Sequence, residues 1–183
     1  MFGLNWGLTL LLSDPVSKYL PEFANVQVMA HVSGHAVLHH PKAAPTVQDL
    51  LRHTSGLTYE ILGTEPIQKQ YAQARLASRE RSNAEFSQAL AAMPLMFEPG
   101  TTWEYSRATD LLGALLEVVA GQSLGDFLQH NIFGPLGLTQ TSFPANGLMP
   151  DPYAHGYNET PDGTIVDATL VVMVNSDVPK LHA

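Results

Sequence analysis

The chain has 183 residues, which is enough for one compact domain with a hydrophobic core. Apolar residues make up 45% and charged residues 14%, a composition that is typical of globular proteins and excludes a long disordered chain. The net charge of −8 disfavours nucleic acid as a partner, and the absence of cysteine excludes disulfides and thiolate metal sites.

The first 45 residues predict only short elements. Residues 2–12 are apolar and predict a short helix or a buried segment, because no basic residue precedes them as one would in a signal peptide. They are too few to span a membrane, so no membrane partner is expected and the default localisation is cytoplasmic. Residues 16–20 predict one helical turn that Pro21 stops, and residues 25–45 predict a loop with at most one short strand.

Helix start and stop signals follow. Thr46 is a plausible N-cap for a helix over 47–53, with Gly56 as its left-handed end. Residues 66–79 are rich in good helix formers, and Ser82 opens a capping box for a helix that ends before residue 94.

The clearest helix covers 109–120, where apolar residues recur at helical spacing and Gly121 is the expected C-cap. Ser123 is expected to cap one more helix. Residues 150–165 are rich in turn formers, and only 164–174 have the β-branched density of a strand. The pattern predicts a mostly helical structure with little sheet.

Two motifs invite a chemical interpretation that their context does not favour. Residues 121–125 spell Gly-x-Ser-x-Gly, but the nucleophile Ser123 of an α/β-hydrolase would need a strand before it, and here a helix comes first. Five histidines lie at positions 31, 35, 39, 40 and 53, but Gly34 lies between the first two, Pro41 directly follows the fourth, and no acidic residue stands at ligand spacing. A surface loop is favoured over a zinc site.

The third candidate is Tyr105, which directly precedes the predicted helix 109–120. A tyrosine there feels the partial positive charge of a helix N-terminus, which favours a phenolate that can act as a general base. The alternative is that Trp103 and Tyr105 are half-buried aromatics at a loop–helix junction.

Five segments, in order, resemble the serine β-lactamase-like hydrolases, the family of class C β-lactamases and related esterases. They are Asp-Pro-Val-Ser-Lys-Tyr-Leu-Pro-Glu-Phe at 14–23, Leu-Leu-Arg-His-Thr-Ser-Gly-Leu at 50–57, the region 99–113 with its Tyr-Ser, Phe-Gly-Pro-Leu-Gly-Leu-Thr at 133–139 and Ala-His-Gly-Tyr at 154–157. The resemblance covers roughly 10–160 and implies an α/β (α+β) fold of the β-lactamase and penicillin-binding-protein type. Residues 1–183 would then be a single partial domain.

The resemblance implies a site for a small ester or amide, without cofactor or metal. Tyr105 matches the catalytic tyrosine, and Trp103, Ser106 and Arg107 are the expected substrate-binding neighbours. Class C enzymes have Asn where this chain has Arg107, which argues against β-lactam hydrolysis and favours the esterase-like branch. That branch also includes acyltransferases and peptidases.

The family's nucleophile is the serine of a Ser-x-x-Lys pair, and no serine in this sequence has a lysine three residues later. Ser78 comes closest, with Arg81, but arginine does not give up its proton. No Lys-Thr-Gly follows residue 157 either. The expectation is an inactive central fragment whose exposed core face could support self-association. The alternatives are a non-catalytic remnant that binds a ligand or partner, and an α/β-hydrolase that uses Ser123.

Overall fold

The computed structural model describes residues 10–33, 35–76, 78, 81–141, 143 and 157–167. Two 3₁₀ turns, Val16–Lys18 and Pro21–Asn25, come first, and a π-helical turn, Gln129–Phe133, directly follows the last α-helix. The other elements are β1 (Val28–Val32), β2 (His35–His39), α1 (Val47–Leu51), α2 (Pro66–Gln73), α3 (Asn83–Ala91), α4 (Ala108–Ala120), α5 (Leu124–Leu128), β3 (Tyr157–Glu159) and β4 (Ile165–Asp167).

Helix α4 is the centre of the hydrophobic core. It packs against α1, α3 and α5, and its side chains Leu111 and Leu115 are at most 2% exposed. Gly113 lets α5 approach, because a Cβ there would lie 3.2 Å from the Leu124 side chain. Burial of each such leucine contributes about 1.5–3 kcal/mol, so the apolar stripe of α4 fixes the position of the segment that precedes it.

Local capping signals are confirmed. Thr46 and Asp49 form a capping box on α1, and Ser82 begins α3 in the same way. Gly121 ends α4 in the left-handed conformation, with φ +66°. Ser123 then accepts a hydrogen bond from a backbone N–H at the start of α5.

The predicted loop over 25–45 is wrong in part, because this region contains a two-stranded antiparallel hairpin. Strands β1 and β2 pair with His31 opposite Ala36. Apolar residues on both sides of a tight turn allow this pairing. Only residues 28–32 and 35–39 are strands, and the exposed histidines of the hairpin are carried on them.

Other boundaries differ from the sequence prediction. Pro21 starts the second 3₁₀ turn instead of stopping a helix, since a proline at the first helical position loses no hydrogen bond. Helix α1 ends at Leu51, and the left-handed residue after it is His53 at φ +55°. Gly56 also has a positive φ, but it serves a close approach of the chain to Phe97.

Two predicted segments lie partly outside the described residues. Of 2–12, the structure describes only 10–12, which lead into a turn at residues 12–13, and of the strand 164–174 it describes residues 164–167, with β4 as their strand. Within the described ranges no single helix is long and apolar enough to span a membrane; Ala108–Ala120 and Leu124–Phe133 reach that length and composition only together, across an 80° bend. Val37 and Leu38 on β2 are 44% and 49% exposed, and self-association through such a face stays a prediction.

Candidate active site

The segment that carries Tyr105 is tied by its backbone to the loop after α1. Three N–H groups of the segment, those of residues 100, 104 and 107, donate to the carbonyls of residues 54, 53 and 58 over 2.8, 3.0 and 3.3 Å. A fourth bond joins the N–H of Met96 to the carbonyl of Gly56 over 2.6 Å. Because α1 and α4 also pack together, the motif segments 50–57 and 99–113 form one rigid unit.

Gly56 is required for this close approach. A Cβ at this position would lie 2.5 Å from the Phe97 carbonyl oxygen, and the residue has φ +86°. Both facts favour glycine, which has no Cβ and adopts positive φ at little cost.

The ring of Tyr105 lies among three other aromatic rings. It stacks on Tyr59 with centroids 5.7 Å apart and an interplanar angle of 6°, and its centroid lies 5.1 Å from the His53 ring. The indole of Trp103 contacts His53 edge-on at 6.3 Å. Tyr105 remains 50% exposed and Trp103 65% exposed, so both present a surface to solvent.

His53 connects the two segments through its side chain as well. Its Nδ1 lies 3.2 Å from the Ser106 hydroxyl. Its backbone is left-handed at φ +55°, a conformation that costs a non-glycine residue of order 1–3 kcal/mol and that surrounding contacts must hold. The hydrogen bonds of His53 and Thr54 to the opposite segment supply those contacts.

Arg107 is directed into the protein. Its guanidinium donates to both carboxylate oxygens of Glu60, through Nε over 3.2 Å and through a shorter bond from Nη2. The two side chains are 8% and 10% exposed. Burial by itself lowers the pKa of Arg107, but the Glu60 carboxylate more than offsets this and raises the pKa above its ordinary value. The guanidinium is therefore positively charged at neutral pH.

The guanidinium of Arg107 also lies over the Tyr59 ring, 4.1 Å from its centroid. Burial raises the pKa of the Tyr59 phenol, and the nearby positive charge opposes that effect in part. Tyr59 is therefore neutral over the physiological range.

The structure brings the four predicted site residues together in one short segment but divides them between two surroundings. Trp103 and Tyr105 are exposed, whereas Ser106 and Arg107 are 2% and 7% exposed and bonded inside the chain. Substrate contact by these residues stays a prediction, and for the second pair it would require movement out of the interior.

Two ring neighbours of Tyr105, His53 and Tyr59, and the Arg107 partner Glu60 were not predicted as parts of this site from the sequence. His53 lies within the motif at 50–57, which was a usable signal. No sequence pattern pointed to Tyr59 or Glu60.

Ser123, the other candidate nucleophile, caps a helix. The hydroxyl of Ser123 accepts from the Asp126 N–H and donates to the Asp126 carboxylate over 2.6 Å, which is the geometry of a helix cap. Helix α4 precedes it, so the strand required by an α/β-hydrolase elbow is missing from this position. Over the ranges that the structure describes, no three His, Asp or Glu side chains gather in a way that could hold a metal ion.

These features define a β-lactamase-like fold with a tyrosine presented at the start of a core helix. The beta-lactamase family model matches residues 8–176, and the chain belongs to this family. The resemblance seen in the five sequence segments is thereby confirmed.

The relatives of this chain include acyltransferases and an esterase. It is 34% identical to monacolin J acid methylbutanoyltransferase of Aspergillus terreus over 152 residues, 81% of this chain and 35% of the relative. It is also 34% identical to lovastatin esterase of Penicillium rubens over 136 residues, 73% of this chain and 33% of the relative. Among solved structures, EstCE1, a hydrolase with promiscuous acyltransferase activity, matches with a TM-score of 0.64 and 30% identity over 88% of this chain and 40% of its own. The chain thus spans about a third of the length of the curated relatives it matches.

Proposed function

We propose that this chain forms the tyrosine-bearing wall of a serine esterase or acyltransferase site, and that the attacking serine and its lysine lie outside these 183 residues. The observation that carries the proposal is the half-exposed phenol of Tyr105, held on a rigid segment at the start of α4. The relatives include an esterase and an acyltransferase, which supports this reaction class.

The proposed reaction has two acyl transfers. The serine oxygen attacks the ester carbonyl, the bond to the alcohol oxygen breaks, and the acyl group remains on the serine. Tyr105, as phenolate, accepts the serine proton and passes it to the departing alkoxide. In the second half, water or another alcohol attacks the acyl carbonyl, and Tyr105 accepts its proton. The bond between the carbonyl carbon and the serine oxygen breaks, and the tyrosine returns the proton to that serine oxygen.

An uncharged ester suits this wall better than a β-lactam. The exposed surface beside the phenol is aromatic, formed by Trp103 and Tyr105. The guanidinium at the third motif position is buried and already neutralised by Glu60, so it is not placed to anchor a substrate carboxylate. This agrees with the interpretation of Arg107 from the sequence.

Covalent labelling tests the proposal. The purified 183-residue chain is treated with a fluorophosphonate and its intact mass is measured; we expect no adduct. The reading frame extended to the length of the relatives, so that it contains a Ser-x-x-Lys pair, should be labelled on that serine, and Tyr105→Phe should slow the labelling. Adduct on the 183-residue chain, or equal labelling of the Tyr105→Phe variant, would show the proposal to be wrong.

A second candidate, ligand binding without catalysis, is favoured by the exposed indole of Trp103. Calorimetric titration of the 183-residue chain with ethyl 2-methylbutanoate measures it directly. Heat that disappears in Trp103→Ala but persists in the matched surface variant Val118→Ala supports binding at this wall. No heat in the parent chain excludes it for this ligand.

A further inference from the structure

We infer that Tyr59 is the positioning residue for Tyr105, and that the Glu60–Arg107 ion pair holds Tyr59 in place. The inference deepens the proposed function and rests on it for the role of Tyr105. Tyr59 and Glu60 lie outside the tyrosine motif, and Arg107 lies at a motif position whose side chain is directed away from solvent.

The first step is the parallel contact between the two tyrosine rings. At 6° and 5.7 Å, the Tyr59 ring lies parallel to and offset from the Tyr105 ring, and this contact limits the rotation of the Tyr105 side chain. Such aromatic pairs contribute about 0.5–1.5 kcal/mol beyond the area they bury. A half-exposed tyrosine without this contact would be free to sample other rotamers, and its phenol oxygen would lose a fixed direction.

The second step is the way in which Tyr59 itself is held. The Arg107 guanidinium lies 4.1 Å from its ring centroid and is fixed by both oxygens of Glu60. A planar guanidinium can stack on a ring while it donates two hydrogen bonds to one carboxylate, a geometry that a lysine ammonium does not reproduce. The N–H of Arg107 also donates to the Thr58 carbonyl, so backbone and side chain fix the same turn.

The third step is chemical. A general base must keep its oxygen within hydrogen-bond reach of the proton it accepts, and misplacement by about 1 Å can cost on the order of 100-fold in rate. Tyr59 remains neutral because burial raises its pKa, so it adds no negative charge beside a Tyr105 phenolate. The stack therefore fixes the direction of the Tyr105 phenol without placing a charge beside it.

The test on this chain is fluorine NMR after incorporation of 3-fluorotyrosine. The sequence has six tyrosines, and Tyr105→Phe identifies the resonance of interest. We expect Tyr59→Leu to move the Tyr105 resonance toward that of free fluorotyrosine, whereas Tyr59→Phe keeps the ring and leaves it in place. The matched control Tyr157→Leu, at an exposed position on β3, should also leave it unchanged.

Arg107→Lys tests whether the Glu60–Arg107 ion pair holds Tyr59. It replaces Tyr59→Leu as the deciding variant if far-ultraviolet circular dichroism shows that Tyr59→Leu does not fold. It keeps the charge and should move the Tyr105 resonance in the same direction by a smaller amount. An unchanged resonance in Tyr59→Leu, or in Arg107→Lys where only that variant folds, overturns the inference. So does an equal shift in Tyr59→Phe, because the ring would then not be the cause.

Kinetics in the extended reading frame separate this inference from the proposed function. Tyr59→Leu should lower kcat about 10- to 100-fold with little change in KM, and Tyr59→Phe should restore it. If the NMR shifts occur but Tyr105→Phe labels as fast as the parent, the proposed function is wrong and the positioning contact stands. If Tyr105→Phe slows labelling and the resonance does not move in Tyr59→Leu, the proposed function stands and the positioning role of Tyr59 is wrong.

Discussion

Replacement of Glu60 by Gln should destabilise the protein by roughly 3 kcal/mol, at the lower end of the range for breaking a buried ion pair. The side chains of Glu60 and Arg107 are only 10% and 8% exposed, so solvent cannot replace the lost carboxylate. The lower end applies because Asp110 lies 3.7 Å from the guanidinium and the Tyr59 ring still faces it. For a chain of this length the loss corresponds to about 6–12 °C in Tm.

The double variant Glu60→Leu with Arg107→Met distinguishes a buried pair from an exposed one. With both charges removed no unpaired charge is left in the interior, and the net cost should fall to about 1 kcal/mol or less. Urea unfolding followed by circular dichroism gives the free energies of unfolding of the parent, Glu60→Gln and the double variant. The exposed Glu159→Gln serves as control, with a change within about 0.5 kcal/mol. If Glu60→Gln costs under 1 kcal/mol, the pair is solvated and cannot hold Tyr59.

Three further predictions concern residues that shape the scaffold. Gly56→Ala should cost at least about 1–3 kcal/mol from backbone strain alone, with the clash against Phe97 added, and thermal unfolding measures it; unchanged Tm would contradict the close approach. Ser123→Ala should lose about 1 kcal/mol by removing the α5 cap, measured by urea unfolding, whereas ester hydrolysis, if any is detected, should not change. The pKa of Asp14 is lowered to about 2 by hydrogen bonds from Lys18, Tyr19 and the Leu11 N–H. The stability that the Asp14 carboxylate provides is therefore present above about pH 4 and lost as the pH falls toward 2. The Tm difference between the parent and Asp14→Asn should shrink over that window.

Features encoded within a few residues could be predicted from the sequence. Thr46, Ser82 and Ser123 cap helices because each side chain reaches an N–H only three residues ahead. The hairpin was missed because its two strands gain stability from each other, and neither has a period that identifies it alone. The family resemblance required no geometry, since it rests on five segments in order.

The surroundings of Tyr105 could not be predicted because they depend on contacts across the chain. Glu60 and Arg107 are 47 residues apart, and no local pattern pairs one carboxylate with one guanidinium at that distance. The stack of Tyr59 on Tyr105 has the same origin. Tertiary packing of α1 against α4 brings the two loops together, and only then do these side chains meet.

The division of the four predicted site residues occurs within a few residues of chain. Residues 102–106 lie outside any helix, so no helical period sets which of their side chains are buried. Trp103 and Tyr105 are exposed, while Ser106, between Tyr105 and the helix, is 2% exposed. Proximity in sequence to Tyr105 therefore does not fix the surroundings of its immediate neighbour. Arg107 follows as the residue before α4, where the chain turns, and its burial against Glu60 makes it part of the support for the tyrosine rather than of the surface that meets a substrate.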